Sequence, residues 1–179
     1  MRLMAVAFLC LILCVGVALF YSVDRRIVRK GLSGMSTDMS LPDFKLVASD
    51  GTEINSYAAI GADSSLIVFV NPGCSHCETQ LSALATLEKT TPVTIVADLN
   101  EDSEYERQRI AERYGSRFKV YFDRFGERKR RLGIEIVPYT LVVDKDKYVR
   151  MAFEGERDVG FLAEALNHLS SRSDKEVKR

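Results

Sequence analysis

The 179-residue sequence has few cysteines and no excess of charge of either sign. Its four cysteines are too few for a disulfide-stapled scaffold of this length. The 25 basic and 25 acidic residues balance, which argues against a nucleic-acid-binding protein, where basic residues are expected in excess. No Gly-X-Y period, heptad run or repeat of about 20–50 residues is present, which excludes collagen, coiled-coil and solenoid architectures. The composition is that of a globular protein, with apolar residues concentrated at the N-terminus.

An apolar segment over residues 3–23 carries no charged side chain. At about 1.5 Å per residue it forms a helix of about 31 Å, enough to cross a bilayer core of about 30 Å. A cleaved signal peptide is the alternative, but its n-region would be only Met1-Arg2 and its apolar region would be too long. Residues 1–23 are therefore predicted to be a transmembrane anchor in the lipid bilayer. Cys10 and Cys14 lie within it and are interpreted as small packing residues.

The residues after the anchor give conflicting information about orientation. Four basic residues follow the apolar segment, against Arg2 and the amino terminus before it: Arg25, Arg26, Arg29 and Lys30. The positive-inside rule therefore predicts a cytoplasmic C-terminal domain. The small, polar stretch that follows has no period, so residues 24–40 are interpreted as a basic flank and a flexible linker.

Residues 41–170 contain strand patterns with turn signals between them. Residues 44–48 and 52–55 flank Ser49-Asp50-Gly51, which predicts a hairpin. Continuous apolar runs at 66–70 and 93–97 predict strands that are buried on both faces. A short strand is predicted at 118–122, and further strands are predicted at 136–143, around Pro138, and at 148–153.

Helical patterns alternate with these strands. They are predicted from Cys74 to near Lys89, from caps at Asn100–Asp102 to near Tyr114, and after a cap at Asp158. Residues 171–179 are predicted to be a polar tail. Because strands and helices alternate in the middle of the segment, right-handed crossovers and an α/β fold are expected.

Cys74-Ser75-His76-Cys77 is the strongest chemical signal in the sequence. Two cysteines three apart at a helix start can close a disulfide reversibly, and the positive end of the helix favours the thiolate of Cys74 as the nucleophile. Cys77, one turn further on and facing the core, suits the resolving role. An imidazole at His76 that donates a hydrogen bond would stabilise that thiolate and make the disulfide a better oxidant.

Two other interpretations of these cysteines remain open. The pair is half of a structural zinc site, or it is an inert buried pair. A zinc site needs two more ligands, yet the other cysteines lie in the apolar segment and the only other histidine is His168. No metal and no cofactor is therefore predicted.

Val137-Pro138-Tyr139 is the second unusual element. A proline inside an apolar strand removes a hydrogen-bond donor from the sheet. Pro138 therefore lies at an edge or at the start of a strand, or its peptide bond is cis and turns the chain against the cysteine pair.

These elements together resemble a known family. A strand, the turn Asn71-Pro72-Gly73-Cys74 into a helix, and a proline some sixty residues later are similar to the thioredoxin fold. Leu41-Pro42-Asp43-Phe44 with Asp50-Gly51 resembles the N-terminal extension of the ResA/TlpA-like and peroxiredoxin-like branch. With the anchor and linker, the chain resembles membrane-tethered thiol–disulfide oxidoreductases, including the MauD proteins that act in the maturation of methylamine dehydrogenase.

The resemblance implies a central mixed sheet flanked by helices, with an N-terminal hairpin. It implies that Pro138 is cis and packs on the active disulfide, and that the backbone of Val137, with Tyr139 beside it, pairs with a substrate strand. It implies protein disulfides or dithiols as substrates, a membrane dithiol carrier as the electron partner, and a domain outside the cytoplasm, against the charge bias.

Two positions depart from the family pattern and leave the proton acceptor for Cys77 unassigned. Val68 stands where many thioredoxins have a buried aspartate, and Gln80 stands where ResA-like proteins have a glutamate. Glu78 is close by but is expected to be exposed. Water and His76 remain as candidates.

Two other functions remain as alternatives. A thiol peroxidase of the peroxiredoxin-like branch usually has threonine three residues before its reactive cysteine, where this chain has Asn71. A non-catalytic metal carrier with this fold typically has a longer CxxxC spacing and a distal histidine.

Overall fold

The computed structural model describes residues 37–87, 92–99 and 103–176, and side chains as far as Leu169. The predicted anchor, Cys10, Cys14 and most of the predicted linker lie outside these residues. None of the helices in the described ranges is both long enough and apolar enough to cross a membrane.

Eight strands of the described residues form one mixed sheet. In chain order they are β1 (Met39–Ser40), β2 (Lys45–Val47), β3 (Glu53–Asn55), β4 (Ser65–Val70), β5 (Val93–Leu99), β6 (Lys119–Arg124), β7 (Tyr139–Val143) and β8 (Tyr148–Glu154). Across the sheet their order is β1-β8-β7-β4-β5-β6-β2-β3. The three middle strands β4, β5 and β6 are parallel, and every other pair is antiparallel.

The central strands confirm the predictions from apolar runs. Every residue of β4 and of β5 is buried, as expected for parallel strands covered on both faces. The predicted hairpin is also present as β2–β3, with Leu46 opposite Ile54. Asp50 Oδ1 accepts hydrogen bonds from the backbone N–H and the hydroxyl of Thr52, and Gly51 has a φ of +88° that favours glycine.

Five helices are present in the described ranges: α1 (Ser56–Ile60), α2 (Ser75–Leu84), α3 (Glu104–Tyr114), α4 (Glu127–Arg131) and α5 (Val159–Glu176). The predicted cap of the last helix is confirmed, because Asp158 Oδ1 accepts from the backbone N–H of Phe161 at 3.1 Å. The resulting α/β architecture is the mixed sheet with helices that the resemblance implies.

Several predicted boundaries were wrong. Helix α2 ends at Leu84 rather than near Lys89. Helix α3 is capped by Ser103, whose hydroxyl accepts from the N–H of Glu106 at 3.2 Å, and not by a residue of 100–102. Helix α1 was not predicted, because five residues are too few to show a helical period.

Both ends of the domain extend beyond their predicted limits. Strand β1 pairs with β8, so Met39 and Ser40 belong to the sheet rather than to the linker. Helix α5 continues to Glu176, six residues into the predicted polar tail.

The core positions the start of α2. Val68, Leu84, Ile95 and Phe122 are among its fully buried members, and Cys77 belongs to the same cluster. Because β4 and β5 are parallel, their carboxyl ends reach the same edge of the sheet, and α2 begins at that edge immediately after β4.

Candidate active site

The turn between β4 and α2 brings Cys74 to the edge of the sheet. The backbone N–H of Cys74 donates to the carbonyl of Asn71 at 3.2 Å, which closes the turn. Gly73 adopts a φ of +85°, a conformation that side chains disfavour. Pro72 is half-buried, as expected for a structural residue of this turn.

Cys74 is the N-cap residue of α2, as the position of the motif predicts. Its backbone is extended, and its Sγ accepts from the N–H of Cys77 at 3.4 Å. The sulfur therefore receives one of the N–H groups that the helix leaves without a partner. Cys74 is half-buried and remains reachable from solvent, and both cysteines are free thiols in this structure.

Cys77 lies in a different environment. It is only 2% exposed and packs in the apolar core. Burial is the largest effect and raises the pKa of its thiol to about 12, with smaller increases from Cys74 and from the charge of Glu78, and an opposing hydrogen bond to Asn71. The two thiols thus differ in access to solvent, as the predicted attacking and resolving roles require.

The peptide bond between Val137 and Pro138 is cis, which confirms what the resemblance implies. Pro138 is buried and precedes β7, whose first residue Tyr139 is opposite Phe69 of β4. This register places Pro138 at the end of β4 from which the cysteine turn departs. Val137 is half-buried and packs against the core cluster that contains Cys77.

The side chain of Tyr139 does not belong to the substrate-binding surface where it was predicted. It is fully buried within β7, so its ring belongs to the core and cannot contact a substrate. The residue that is exposed beside Val137 is Ile136, at 53%.

His76 contacts a residue that the sequence did not indicate. Its Nδ1 is hydrogen-bonded to Glu156 in the loop between β8 and α5, and its side chain is 73% exposed. The predicted electrostatic effect of His76 on Cys74 stays a prediction. The group of opposite charge that pairs with the His76 ring is the Glu156 carboxylate.

Gln80 has a structural role near the site. It is 1% exposed and makes two hydrogen bonds to the backbone of Arg157. Its side-chain N–H donates to the Arg157 carbonyl at 3.2 Å, and its carbonyl accepts from the Arg157 N–H at 2.5 Å. These bonds tie α2 to the loop whose Gly155 N–H donates to the Pro138 carbonyl at 2.8 Å.

A polar cluster beside Cys77 was missed by the sequence analysis. Glu78 was expected to be exposed, but its side chain is 32% exposed and accepts hydrogen bonds from Tyr114 and Arg113 at the end of α3. These residues are 35 and 36 positions from Glu78, and no local pattern links them. Burial is the larger cause that raises the pKa of Tyr114 to about 12, and the hydrogen bond to Glu78 raises it further.

A cleft of about 420 Å³ lies beside the cysteine turn. It lies between the turn, the end of β5 and one face of α3, and its lining includes Pro72, Gly73, Asp98 and Arg113. Among the side chains described, no three His, Cys, Asp or Glu residues are grouped so that they could hold a metal ion.

Comparison with known proteins agrees with this geometry. A model of the AhpC/TSA family matches residues 38–152. No curated protein is detectably similar to the sequence.

Solved structures share the fold at low sequence identity. A thio-disulfide isomerase from Thermus thermophilus is 24% identical, with a TM-score of 0.63, over 75% of this chain and 97% of that one. An exposed lipoprotein thioredoxin from Streptococcus pneumoniae is 19% identical, with a TM-score of 0.59, over 72% and 100%. StoA from Bacillus subtilis is 15% identical, with a TM-score of 0.55, over 70% and 98%. These likenesses establish a thioredoxin-like fold.

Proposed function

Because the chain belongs to the AhpC/TSA family and has a thioredoxin-like fold, we propose that it is a thiol–disulfide oxidoreductase that exchanges disulfides with partner proteins through Cys74 and Cys77. The observation that carries this proposal is the asymmetry of the two thiols. Cys74 caps a helix at the surface, and Cys77 is buried one turn further on.

In the proposed reaction, the Cys74 thiolate attacks a substrate disulfide and forms a mixed disulfide, and one substrate thiolate leaves. Cys77 then attacks the Cys74 sulfur. The Cys74–Cys77 bond forms, the mixed disulfide breaks, and the second substrate thiolate leaves. Two electrons pass from the protein to the substrate, and the reverse sequence oxidises a substrate dithiol.

The loop before β7 supplies a surface for the substrate backbone. Val137 precedes the first residue of β7, so its backbone lies outside the ladder that β7 forms with β4 and β8. An extended substrate segment would pair there by strand addition, beside Cys74. The exposed side chain of Ile136 would add an apolar contact.

We further propose that residues 3–23 tether this domain to a membrane, with the domain outside the cytoplasm. Protein disulfides persist in that compartment, and a membrane dithiol carrier would restore the redox state of Cys74 and Cys77. Maturation of an exported protein is the role that fits this placement.

Turnover of a protein disulfide and turnover of peroxide distinguish this function from a thiol peroxidase. The full chain, with Cys10 and Cys14 replaced by serine, is expected to accelerate reduction of a model protein disulfide by a small dithiol. Cys74→Ser should abolish that activity. Peroxide consumption without any action on the model disulfide would support the peroxidase instead.

A further inference from the structure

We propose that Gln80 and Glu156 are positioning residues that hold residues 136–138 in place relative to Cys74, so that the protein reacts faster with disulfides in extended peptides than with small disulfides. Both residues act through residues 155–157, the clasp loop, which lies between β8 and α5. The inference rests on the proposed disulfide exchange and names the residues that give it selectivity for protein substrates.

A protein substrate must meet two surfaces of this site at once. Its sulfur must reach Cys74 in the turn between β4 and α2, and its backbone must pair with Val137 before β7. The ladders of β7 with β4 and with β8 both begin at Tyr139. The alignment of residues 136–138 with the cysteine turn therefore depends on contacts outside these two ladders.

The clasp loop supplies such contacts. At its first residue, the backbone N–H of Gly155 donates to the carbonyl of Pro138 at 2.8 Å. At its last residue, the backbone N–H of Arg157 donates to the side-chain carbonyl of Gln80 at 2.5 Å. The carbonyl of Arg157 accepts from the side-chain N–H of Gln80 at 3.2 Å. Three successive residues thus connect the segment before β7 with the helix that carries both cysteines.

Two side chains of α2 hold the clasp loop from one face of the helix. His76 and Gln80 are four positions apart, so they lie one turn apart on the same face. They contact successive residues of the loop, because His76 Nδ1 is hydrogen-bonded to the Glu156 carboxylate and Gln80 is bonded to Arg157. Contacts at two successive residues fix both the position and the direction of the loop.

The two anchors differ in burial and therefore in expected strength. Gln80 is 1% exposed, so its loss would leave the Arg157 N–H and carbonyl without their protein partner. The pair of His76 and Glu156 is exposed to solvent, which weakens it. Gln80 is the main anchor and Glu156 the lesser one. The guanidinium of Arg157 also lies over the ring of Phe153, which holds the loop against β8.

The effect of losing an anchor depends on the size of the substrate. A displacement of about 1 Å can cost about 100-fold in the rate of a reaction that needs a fixed geometry. A peptide disulfide is exposed to this loss because it must pair with Val137 and present its sulfur to Cys74 together. A small disulfide has no backbone to pair and needs only Cys74.

The experiment compares two mixed disulfides that share one leaving group. In the first, thionitrobenzoate is joined to the central cysteine of an extended peptide. In the second, it is joined to 2-mercaptoethanol. When the Cys74 thiolate attacks the aliphatic sulfur of either probe, a new disulfide forms there, the old one breaks, and thionitrobenzoate leaves with the electron pair and is measured by its colour. The protein is the reduced full chain with Cys10 and Cys14 replaced by serine.

Three variants are compared with this parent. Gln80→Met keeps a side chain of similar length and volume but has no polar group for Arg157, and it should slow the reaction with the peptide probe by about 10- to 100-fold. Its reaction with the mercaptoethanol probe should be unchanged. Glu156→Ala removes the exposed anchor and should lower the ratio of the two rates by about threefold. Gln108→Met makes the same chemical change at an exposed position of α3 and should alter neither rate.

The ratio of the two rates decides the inference. A merely structural role of Gln80 would slow both probes by the same factor, and that result overturns the inference, as does an unchanged rate with the peptide probe. A parent that reacts no faster with the peptide probe also overturns it. If Gln80→Met does not fold, Glu156→Ala decides, since a lowered ratio supports the clasp and an unchanged ratio refutes it. If the parent releases thionitrobenzoate from neither probe, the proposed function itself fails.

Discussion

Cys77→Ala will accumulate a mixed disulfide through Cys74 with its partner protein, and Cys74→Ala will accumulate none. Cys74 is reachable and lies at the positive end of α2, so it attacks in the first variant, and no second thiol completes the reaction. In the second variant the remaining thiol is 2% exposed and has a pKa of about 12. Its rate of attack should fall by at least about 1,000-fold.

The measurement is acid quenching followed by non-reducing electrophoresis and mass spectrometry of the linked peptides. The background again carries serine at Cys10 and Cys14, so that every adduct comes from the two cysteines of the site. A chain with both Cys74 and Cys77 replaced by alanine measures non-specific adducts. Equal trapping by the two single variants would refute the assignment of attacking and resolving roles.

Deletion of residues 1–30 will move the protein from the membrane fraction to the soluble fraction. Twelve of residues 3–23 are Leu, Ile, Val or Phe, each worth about −0.3 to −0.6 kcal/mol on insertion, which amounts to several kcal/mol in favour of a spanning helix. The described domain begins after the deleted residues, so its sheet is left intact. A deleted chain that stays in the membrane fraction would show that another part of the protein binds the membrane.

The same proposal places the domain on the outer side of the membrane, outside the cytoplasm. A reporter that is active only outside the cytoplasm, fused after Arg179, should be active in the full chain and inactive when residues 1–30 are removed. The matched fusion of a reporter that is active only in the cytoplasm should give the inverse result. Activity of the cytoplasmic reporter in the full chain would show that the four basic residues after the apolar segment decide the orientation.

The sequence predicted those elements whose signals are local. The apolar runs of β4 and β5, the turn at Asp50-Gly51 and the cap at Asp158 each act within a few residues, and each has the predicted structure. The start of α2 at the cysteine motif is of the same kind, because the turn residues and the helical spacing lie next to each other.

The contacts that complete the site depend on distant residues and were not predictable. His76 contacts Glu156 and Gln80 contacts Arg157, pairs that are 80 and 77 positions apart. Glu78 was expected to be exposed because nothing in the helix pattern shows that α3 lies beside it. Only the fold brings these groups together.

Tyr139 shows that a residue next to a predicted site residue in the sequence need not belong to the same site. It follows Pro138 and was therefore grouped with the substrate surface, but β7 is buried on both faces and places the ring in the core. The change from a half-buried residue to buried ones falls within Val137-Pro138-Tyr139, and the sequence carries no sign of it.

The most direct test of the central claim is a redox titration of Cys74 and Cys77 in the full chain with serine at positions 10 and 14. The protein is equilibrated in buffers of graded thiol–disulfide ratio and quenched with acid. The fraction of Cys74–Cys77 disulfide is then measured by alkylation and mass spectrometry. The account predicts one reversible two-electron transition in which both thiols are lost and regained together. The absence of such a transition, or independent modification of the two cysteines, would contradict it.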